Sequence, residues 1–126
     1  MRAADTNVLV RLLVRDDPQQ VAQAQAFVAG GAWVSHVVLA ETTWVLSRAL
    51  RVDAAALGQI VEMLLSHHDL VLENPETVSA ALAAFRARPK LGFVDCLILE
   101  IARKAGHLPL GTFDRELARV DGAERV

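Results

Sequence analysis

The stretch FVDCLILEIARKAGHLPL, residues 93–110, carries the clearest structural signal in the chain and decides the fold class. Its apolar residues recur at helical spacing, which predicts a helix from about Phe93 to Ala105. Gly106 closes this helix, because glycine tolerates the left-handed backbone at which helices end. Residues His107 to Leu110 then predict a short buried strand. A helix that leads directly into a short strand is typical of α/β proteins.

The same alternation runs through the rest of the chain. Further strands are predicted at Arg2 to Asp5, Ala32 to Val34, Asp69 to Glu73 and Ala123 to Val126. Helices are predicted at Thr6 to Val14, Pro18 to about Ala29, His36 to Leu50, just after Asp53 to about Ser66, Pro75 to about Arg88, and Asp114 to Arg119. Strands that alternate with helices predict a layered α/β fold on a mostly parallel sheet. No repeat or flexible linker is visible, so residues 1–126 are predicted to form one domain.

Composition restricts the classes of protein and partner. The chain has 126 residues, of which 53% are hydrophobic, and a net charge of -2, which excludes a generally cationic nucleic-acid coat. A content of 5% aromatic residues without tyrosine argues against a platform of stacked rings. The single cysteine, Cys96, excludes an intrachain disulfide, and no secretion signal is visible. The uncharged stretch Pro18 to Ala40 contains several glutamines, so we expect a cytoplasmic protein without a membrane segment.

Glu41 lies within a predicted helix that is apolar nearly all round. Its neighbours on the helix surface are Val37, Val38, Trp44 and Val45, with Arg48 two turns on. An ionised glutamate in such surroundings costs several kcal/mol unless it pairs, binds a metal or faces a cleft. The alternative to a functional role is a buried ion pair with Arg48.

Asp95 is predicted to point towards the protein. The helical wheel places it beside Ile98, Leu99 and Ala102, opposite a solvated arc of Glu100, Arg103 and Lys104. The alternative is a structural role, in which Asp95 caps its own helix from the first turn.

Asp5 and Asp114 are predicted beyond the carboxyl ends of strands. Asp5 ends the first strand, and Asp114 follows the strand His107 to Leu110 through the link Gly111-Thr112-Phe113. Ligands of open parallel sheets bind at this edge. Both residues also precede or begin predicted helices, so each could be an ordinary helix cap.

Four acids that converge on one cleft would repel each other strongly unless a cation were bound. Ligation by oxygen alone selects Mg²⁺ or Mn²⁺, whereas zinc prefers histidine and cysteine. The pair His67-His68 is a poor metal site, because adjacent helical residues do not face a common point. Cys96 is predicted to be a core residue.

Four motifs together resemble those of the PIN-domain nucleases. They are Asp5-Thr6-Asn7 after the first strand, Glu41-Thr42 in an apolar helix, Phe93-Val94-Asp95-Cys96-Leu97-Ile98 at the start of a late helix, and Thr112-Phe113-Asp114-Arg115 near the end. The resemblance spans the whole chain. In size and lack of extra domains, the chain is most similar to the VapC toxins of VapBC toxin-antitoxin pairs.

The resemblance implies a three-layer α/β/α sandwich with a central parallel sheet and an Mg²⁺- or Mn²⁺-dependent endoribonuclease activity. It implies a homodimer that is inhibited by a cognate antitoxin, which inserts a peptide into the active-site groove. The acidic site of the family corresponds to Asp5, Glu41, Asp95 and Asp114, with Asn7 and Thr112 as supporting polar groups. One departure is the first strand, where Arg2-Ala3-Ala4 is less apolar than the family pattern, so its length is in question.

The implied reaction is hydrolysis of an RNA phosphodiester by in-line attack of water. Asp5 with Asp95 or Asp114 would ligate the metal directly, and Glu41 would ligate through water or orient the nucleophile. Candidates for contacts with RNA phosphates are Arg15, Arg48, Arg51, Arg86, Arg88 and Lys90. Two alternatives stay open: a nuclease of RNA processing without a toxin role, and a non-catalytic interaction module.

Overall fold

The computed structural model describes residues 1–126 as two compact units, Met1–Pro75 and Glu76–Val126. The strands are β1 (Arg2–Ala3), β2 (Ala32–Val34), β3 (Leu70–Leu72), β4 (Leu110–Thr112) and β5 (Ala123–Arg125). The helices are α1 (Thr6–Val14), α2 (Pro18–Val28), α3 (His36–Arg48), α4 (Ala54–Ser66), α5 (Pro75–Ala87) and α6 (Phe93–Ala105), with 3₁₀ turns at Pro89–Leu91 and Leu117–Arg119. All strand pairs are parallel, which confirms the predicted α/β class.

The first unit is built on a parallel sheet of order β1-β2-β3. Ala32 pairs with Leu70 and Val34 with Leu72, and these four side chains are buried, whereas the residues between them, Trp33 and Val71, are exposed. This alternation follows from the two-residue period of a strand. Three of these helices begin at a capping side chain: Asp17, Ser35 and Asp53 accept hydrogen bonds from the first turns of α2, α3 and α4.

The second unit contains α6 and the parallel pair β4-β5. Phe85 of α5 packs edge-to-face on Phe93 of α6, with ring centroids 6.0 Å apart. Gly106 ends α6 with φ of 83°, and its N–H donates to carbonyls of the last turn, as predicted.

The predicted strand His107 to Leu110 is wrong, because β4 begins only at Leu110. The N–H of His107 is used to close α6, donating to the carbonyl of Ala102 at 3.0 Å. Pro109 has no N–H to donate. Leu110 is the first residue whose N–H joins the pairing, and it donates to the carbonyl of Gly122.

Other boundaries differ less. The bounds of α1, β2, α4 and α6 agree with the prediction, whereas β1 covers only Arg2–Ala3 and the predicted helix Asp114 to Arg119 is reduced to the 3₁₀ turn Leu117–Arg119. The apolar stretch from Pro18 to Ala40 is divided among α2, β2 and the start of α3. None of the helices has both the length and the apolar character needed to cross a membrane.

Candidate active site

Asp5 follows β1 and caps α1 at the same time. Its Oδ1 accepts a hydrogen bond from the backbone N–H of Thr6 at 2.7 Å, while its other oxygen makes no hydrogen bond. The side chain is exposed. The two interpretations of Asp5, as a cap and as a site residue, are therefore compatible, because the cap uses one oxygen and leaves the other free.

Glu41 is an exposed residue of α3, which corrects the prediction of apolar surroundings. The neighbours that suggested burial, Val37 and Trp44, are themselves 77% and 56% exposed, so the free-energy cost of an ionised buried carboxylate does not apply. Glu41 forms no pair with Arg48. Its Oε1 instead accepts a hydrogen bond from the hydroxyl of Thr6.

Thr6 is a residue of the candidate site that sequence reasoning did not single out. Its side chain is 7% exposed, and its hydroxyl joins the start of α1 to Glu41 on α3. The only available signal was its place directly after Asp5. Asn7, the predicted supporting residue in this motif, is exposed and makes no side-chain hydrogen bond.

Asp114 follows β4 in the second unit, and one of its oxygens holds the backbone of the following turn while the other is free. Its Oδ1 accepts hydrogen bonds from the backbone N–H groups of Glu116 at 2.8 Å and Leu117 at 3.2 Å. Its own N–H donates to the Oγ1 of Thr112 at 3.0 Å. Thr112 therefore contacts the backbone of Asp114, and its supporting role in the site stays a prediction.

Asp95, in the first turn of α6, is half-buried and makes no hydrogen bond, so it does not cap its helix. Burial raises the pKa of its carboxyl, and the charge of Asp114 raises that pKa further. In the second unit, two of the predicted acids, Asp95 and Asp114, thus lie close enough for the charge of Asp114 to act on Asp95.

The opposite face of α6 is less solvated than predicted. The Glu100 side chain is only 13% exposed, and its carboxylate accepts from the Nε of Arg103 at 3.2 Å. This ion pair satisfies the charge of Glu100, whereas Asp95 has no such partner. The contrast identifies Asp95 as the acid of α6 whose charge is not compensated.

The acids of each unit suit a hard cation by their chemistry. One carboxylate oxygen accepts a hydrogen bond and the other is free in Asp5, Glu41 and Asp114. In Asp95 both carboxylate oxygens are free. Within neither unit do three or more histidine, cysteine, aspartate or glutamate side chains form a group that could hold a metal ion. A metal bound by all four acids stays a prediction.

The six predicted phosphate contacts are all exposed. Arg15, Arg48 and Arg51 belong to the first unit, and Arg86, Arg88 and Lys90 to the second. Their role stays a prediction. Cys96 is 1% exposed, as predicted for a core residue, and burial raises the pKa of its thiol to about 11.

A second residue that the sequence analysis did not single out is Glu73. It follows β3, and its carboxylate accepts from the backbone N–H of His36 at 2.8 Å, next to the cap that Ser35 supplies to α3. A carboxylate at the amino end of a helix is stabilised by the helix dipole. The position of the Glu73 carboxylate is therefore explained by its structural role at the start of α3.

The comparisons with known proteins give one result. The family model described as "PIN domain" matches residues 3–123, a range that spans both units. Searches among curated proteins and among solved structures return no match. PIN domains are generally nucleases and typically use divalent metal ions, which agrees with uncompensated acids such as Asp95. With its α/β fold, its parallel strands and this match over nearly its whole length, the chain belongs to the PIN domain family.

Proposed function

We propose that this protein is an endoribonuclease that hydrolyses RNA phosphodiester bonds with Mg²⁺ or Mn²⁺. The observation that carries the proposal is the pair Asp95 and Asp114. Asp95 is half-buried, has no hydrogen-bond donor, and its pKa is raised by burial and by the charge of Asp114. Two acids kept in mutual repulsion lower stability unless a cation offsets their charge.

The donor set fits a hard divalent ion. Asp5, Asp95 and Asp114 would hold the ion directly, and Glu41 would hold it through water or orient the nucleophile. When bound, the ion would make water more acidic and offset negative charge on the phosphate.

The chain itself supplies the positioning. The backbone N–H of Thr6 fixes one oxygen of Asp5, the Thr6 hydroxyl fixes one oxygen of Glu41, and two N–H groups fix one oxygen of Asp114. Each carboxylate is thereby held in one orientation with its second oxygen free, which reduces the reorganisation needed during reaction. Arg15, Arg48, Arg51, Arg86, Arg88 and Lys90 are proposed to contact RNA phosphates.

The proposed biological role is that of the toxin in a type II toxin-antitoxin pair in the cytoplasm. The proposed partners are RNA, a cognate antitoxin that places a peptide against the acids, and a second copy of the chain. The exposed apolar side chains Val37 and Trp44 of α3 support a protein partner, because they flank Glu41 on the helix surface and leave apolar area in water.

The same exposed apolar residues favour the non-catalytic alternative, an interaction module whose acids have only structural roles. A nuclease of RNA processing is the second alternative. Growth arrest on expression, relieved by co-expression of a small neighbouring DNA-binding protein, would support the toxin role. RNA cleavage without growth arrest would support RNA processing.

The direct test is cleavage of RNA by the purified protein with Mg²⁺, with Mn²⁺ and with excess chelator. We expect cleavage only with metal, and loss of cleavage in Asp5→Asn and Asp95→Asn. Asp53→Asn is the control, because the Asp53 carboxylate also accepts a backbone N–H hydrogen bond at the start of a helix, from Ala56 in α4. Full activity in chelator, or undiminished cleavage by either site variant, would overturn the proposal.

A further inference from the structure

Phe113 is the most exposed aromatic side chain of the protein. Among the four phenylalanines and two tryptophans, Phe113 has the largest exposed fraction, 77%, whereas Phe85 and Phe93 are each 2% exposed. Phe113 immediately precedes the acid Asp114. A large ring left in water beside a charged site is a candidate contact for a ligand with an apolar face.

The backbone on either side of Phe113 is held by hydrogen bonds. The carbonyl of Thr112 accepts from the N–H of Val126 at 2.9 Å, and the Oγ1 of Thr112 accepts from the N–H of Asp114. Asp114 is itself held in place, because its carboxylate accepts a hydrogen bond from the N–H of the buried Leu117. The ring is therefore presented from a fixed backbone, so less conformational entropy is lost when a ligand packs against it.

The charges next to the ring suit a polyanion. Arg115, on the other side of Asp114, is exposed and makes no hydrogen bond or ion pair. An unpaired guanidinium can donate two hydrogen bonds to a phosphate. Phe113, Asp114 and Arg115 are consecutive residues about 3.8 Å apart along the backbone, so one short segment carries a ring, an acid and a cation.

We propose that Phe113 stacks on an unpaired base next to the phosphate that is cleaved, and that Arg115 contacts a neighbouring phosphate. This inference rests on the proposed ribonuclease function. Every base has a face that can stack, so Phe113 selects single-stranded over duplex RNA without reading sequence. A base within a duplex is already stacked on its neighbours and cannot cover the ring.

The test compares wild type, Phe113→Ala, Phe113→Trp and Phe113→Leu on a single-stranded RNA and on the same RNA annealed to its complement. We expect Phe113→Ala to lower kcat/KM on the single strand by about 5- to 150-fold, the range that loss of one stacked base gives. Phe113→Trp should keep the activity, Phe113→Leu should lose most of it, and duplex cleavage should not change. Leu108→Ala, which removes another exposed apolar side chain of this unit, is the control.

An abasic substrate makes the test specific. After the cleavage site has been mapped, the base beside it is removed, and wild type and Phe113→Ala should then cleave equally. A difference that persists without the base, or equal losses on single strand and duplex, would overturn the inference. Unchanged cleavage by Phe113→Ala together with a lowered oligomeric mass would also overturn it and would assign the ring to a contact between copies.

The outcome separates this inference from the proposed function. A wild type that cleaves no RNA with either metal refutes the ribonuclease proposal. Fluorescence anisotropy of a labelled single strand then decides the role of Phe113 by binding alone. A Kd that is 5-fold or more weaker for Phe113→Ala would support stacking, and an unchanged Kd would overturn it.

Discussion

The hydroxyl of Thr6 donates a hydrogen bond to the carboxylate of Glu41, which lies 35 residues further along the chain. Thr6 is also the residue whose N–H holds Asp5, so one threonine orients two acids of the first unit. Its backbone serves one carboxylate and its side chain the other. Asp5 and Glu41 are therefore coupled through Thr6.

Thr6→Val should lower kcat about tenfold, because it removes a hydrogen bond to a charged group and lets the Glu41 carboxylate rotate. The KM for RNA should change little, since Thr6 is a buried positioning residue. Thr6→Ser keeps the hydroxyl and should restore most of the activity. Equal rates for wild type and Thr6→Val, measured at saturating RNA, would show that the hydrogen bond has no catalytic importance.

Asp5→Asn should abolish cleavage and leave the protein nearly as stable as the wild type. Asparagine caps helices about as well as aspartate, but its neutral side chain is a poor ligand for a hard cation. Asp5→Ala should lose cleavage and also about 1 kcal/mol of unfolding free energy. Both quantities follow from urea denaturation and an RNA cleavage assay. Asp53→Ala, which removes the corresponding cap of α4, should lose stability alone, and a parallel loss of cleavage would contradict this separation.

Asp95→Asn should stabilise the protein at neutral pH in the absence of metal, because it removes an uncompensated half-buried charge. The pKa of Asp95 is raised above 3.8 in the folded state. The stability that its protonated form contributes is therefore complete below about 3.8 and is lost as the pH rises through the folded pKa. The advantage of the variant in unfolding free energy should be largest at pH 7 and should vanish below about pH 3.8.

Divalent metal should make the wild type more stable than Asp95→Asn. A cation that binds the folded wild type stabilises it by mass action, whereas the variant has lost a ligand and gains less. Thermal denaturation with and without Mg²⁺ measures both effects. A variant that is less stable than the wild type at pH 7 without metal would mean that the Asp95 carboxylate has a stabilising partner.

Thr77→Val should be neutral or stabilising, because the buried Oγ1 of Thr77 has no hydrogen-bond partner. Valine has nearly the same shape and removes the cost of burying an unpaired hydroxyl. Thr43→Val is the matched control, since Thr43 is also buried but donates to the carbonyl of Leu39 at 2.9 Å. The control should lose about 1 kcal/mol of unfolding free energy. Equal losses in both variants would indicate that Thr77 has a partner in solution.

Local sequence signals determined most of the elements. The caps Asp17, Ser35 and Asp53, the closing Gly106 and the apolar periodicity of α6 depend on residues within one or two turns of each other, so they can be identified without tertiary information. Helix geometry alone identified Glu41 and Asp95 as candidates, whereas Asp5 and Asp114 also needed the strand-end argument and the family resemblance.

Only the tertiary structure decided the surroundings of these acids. The helical wheel could not show that the apolar face around Glu41 is exposed or that Thr6 is its partner, because both depend on the packing of α1 and α3. Likewise, the effect of Asp114 on Asp95 depends on distance in space. β4 begins later than predicted, because the N–H of His107 donates to a carbonyl of α6. Residue type and spacing thus determine which groups can act, and packing determines which of them meet.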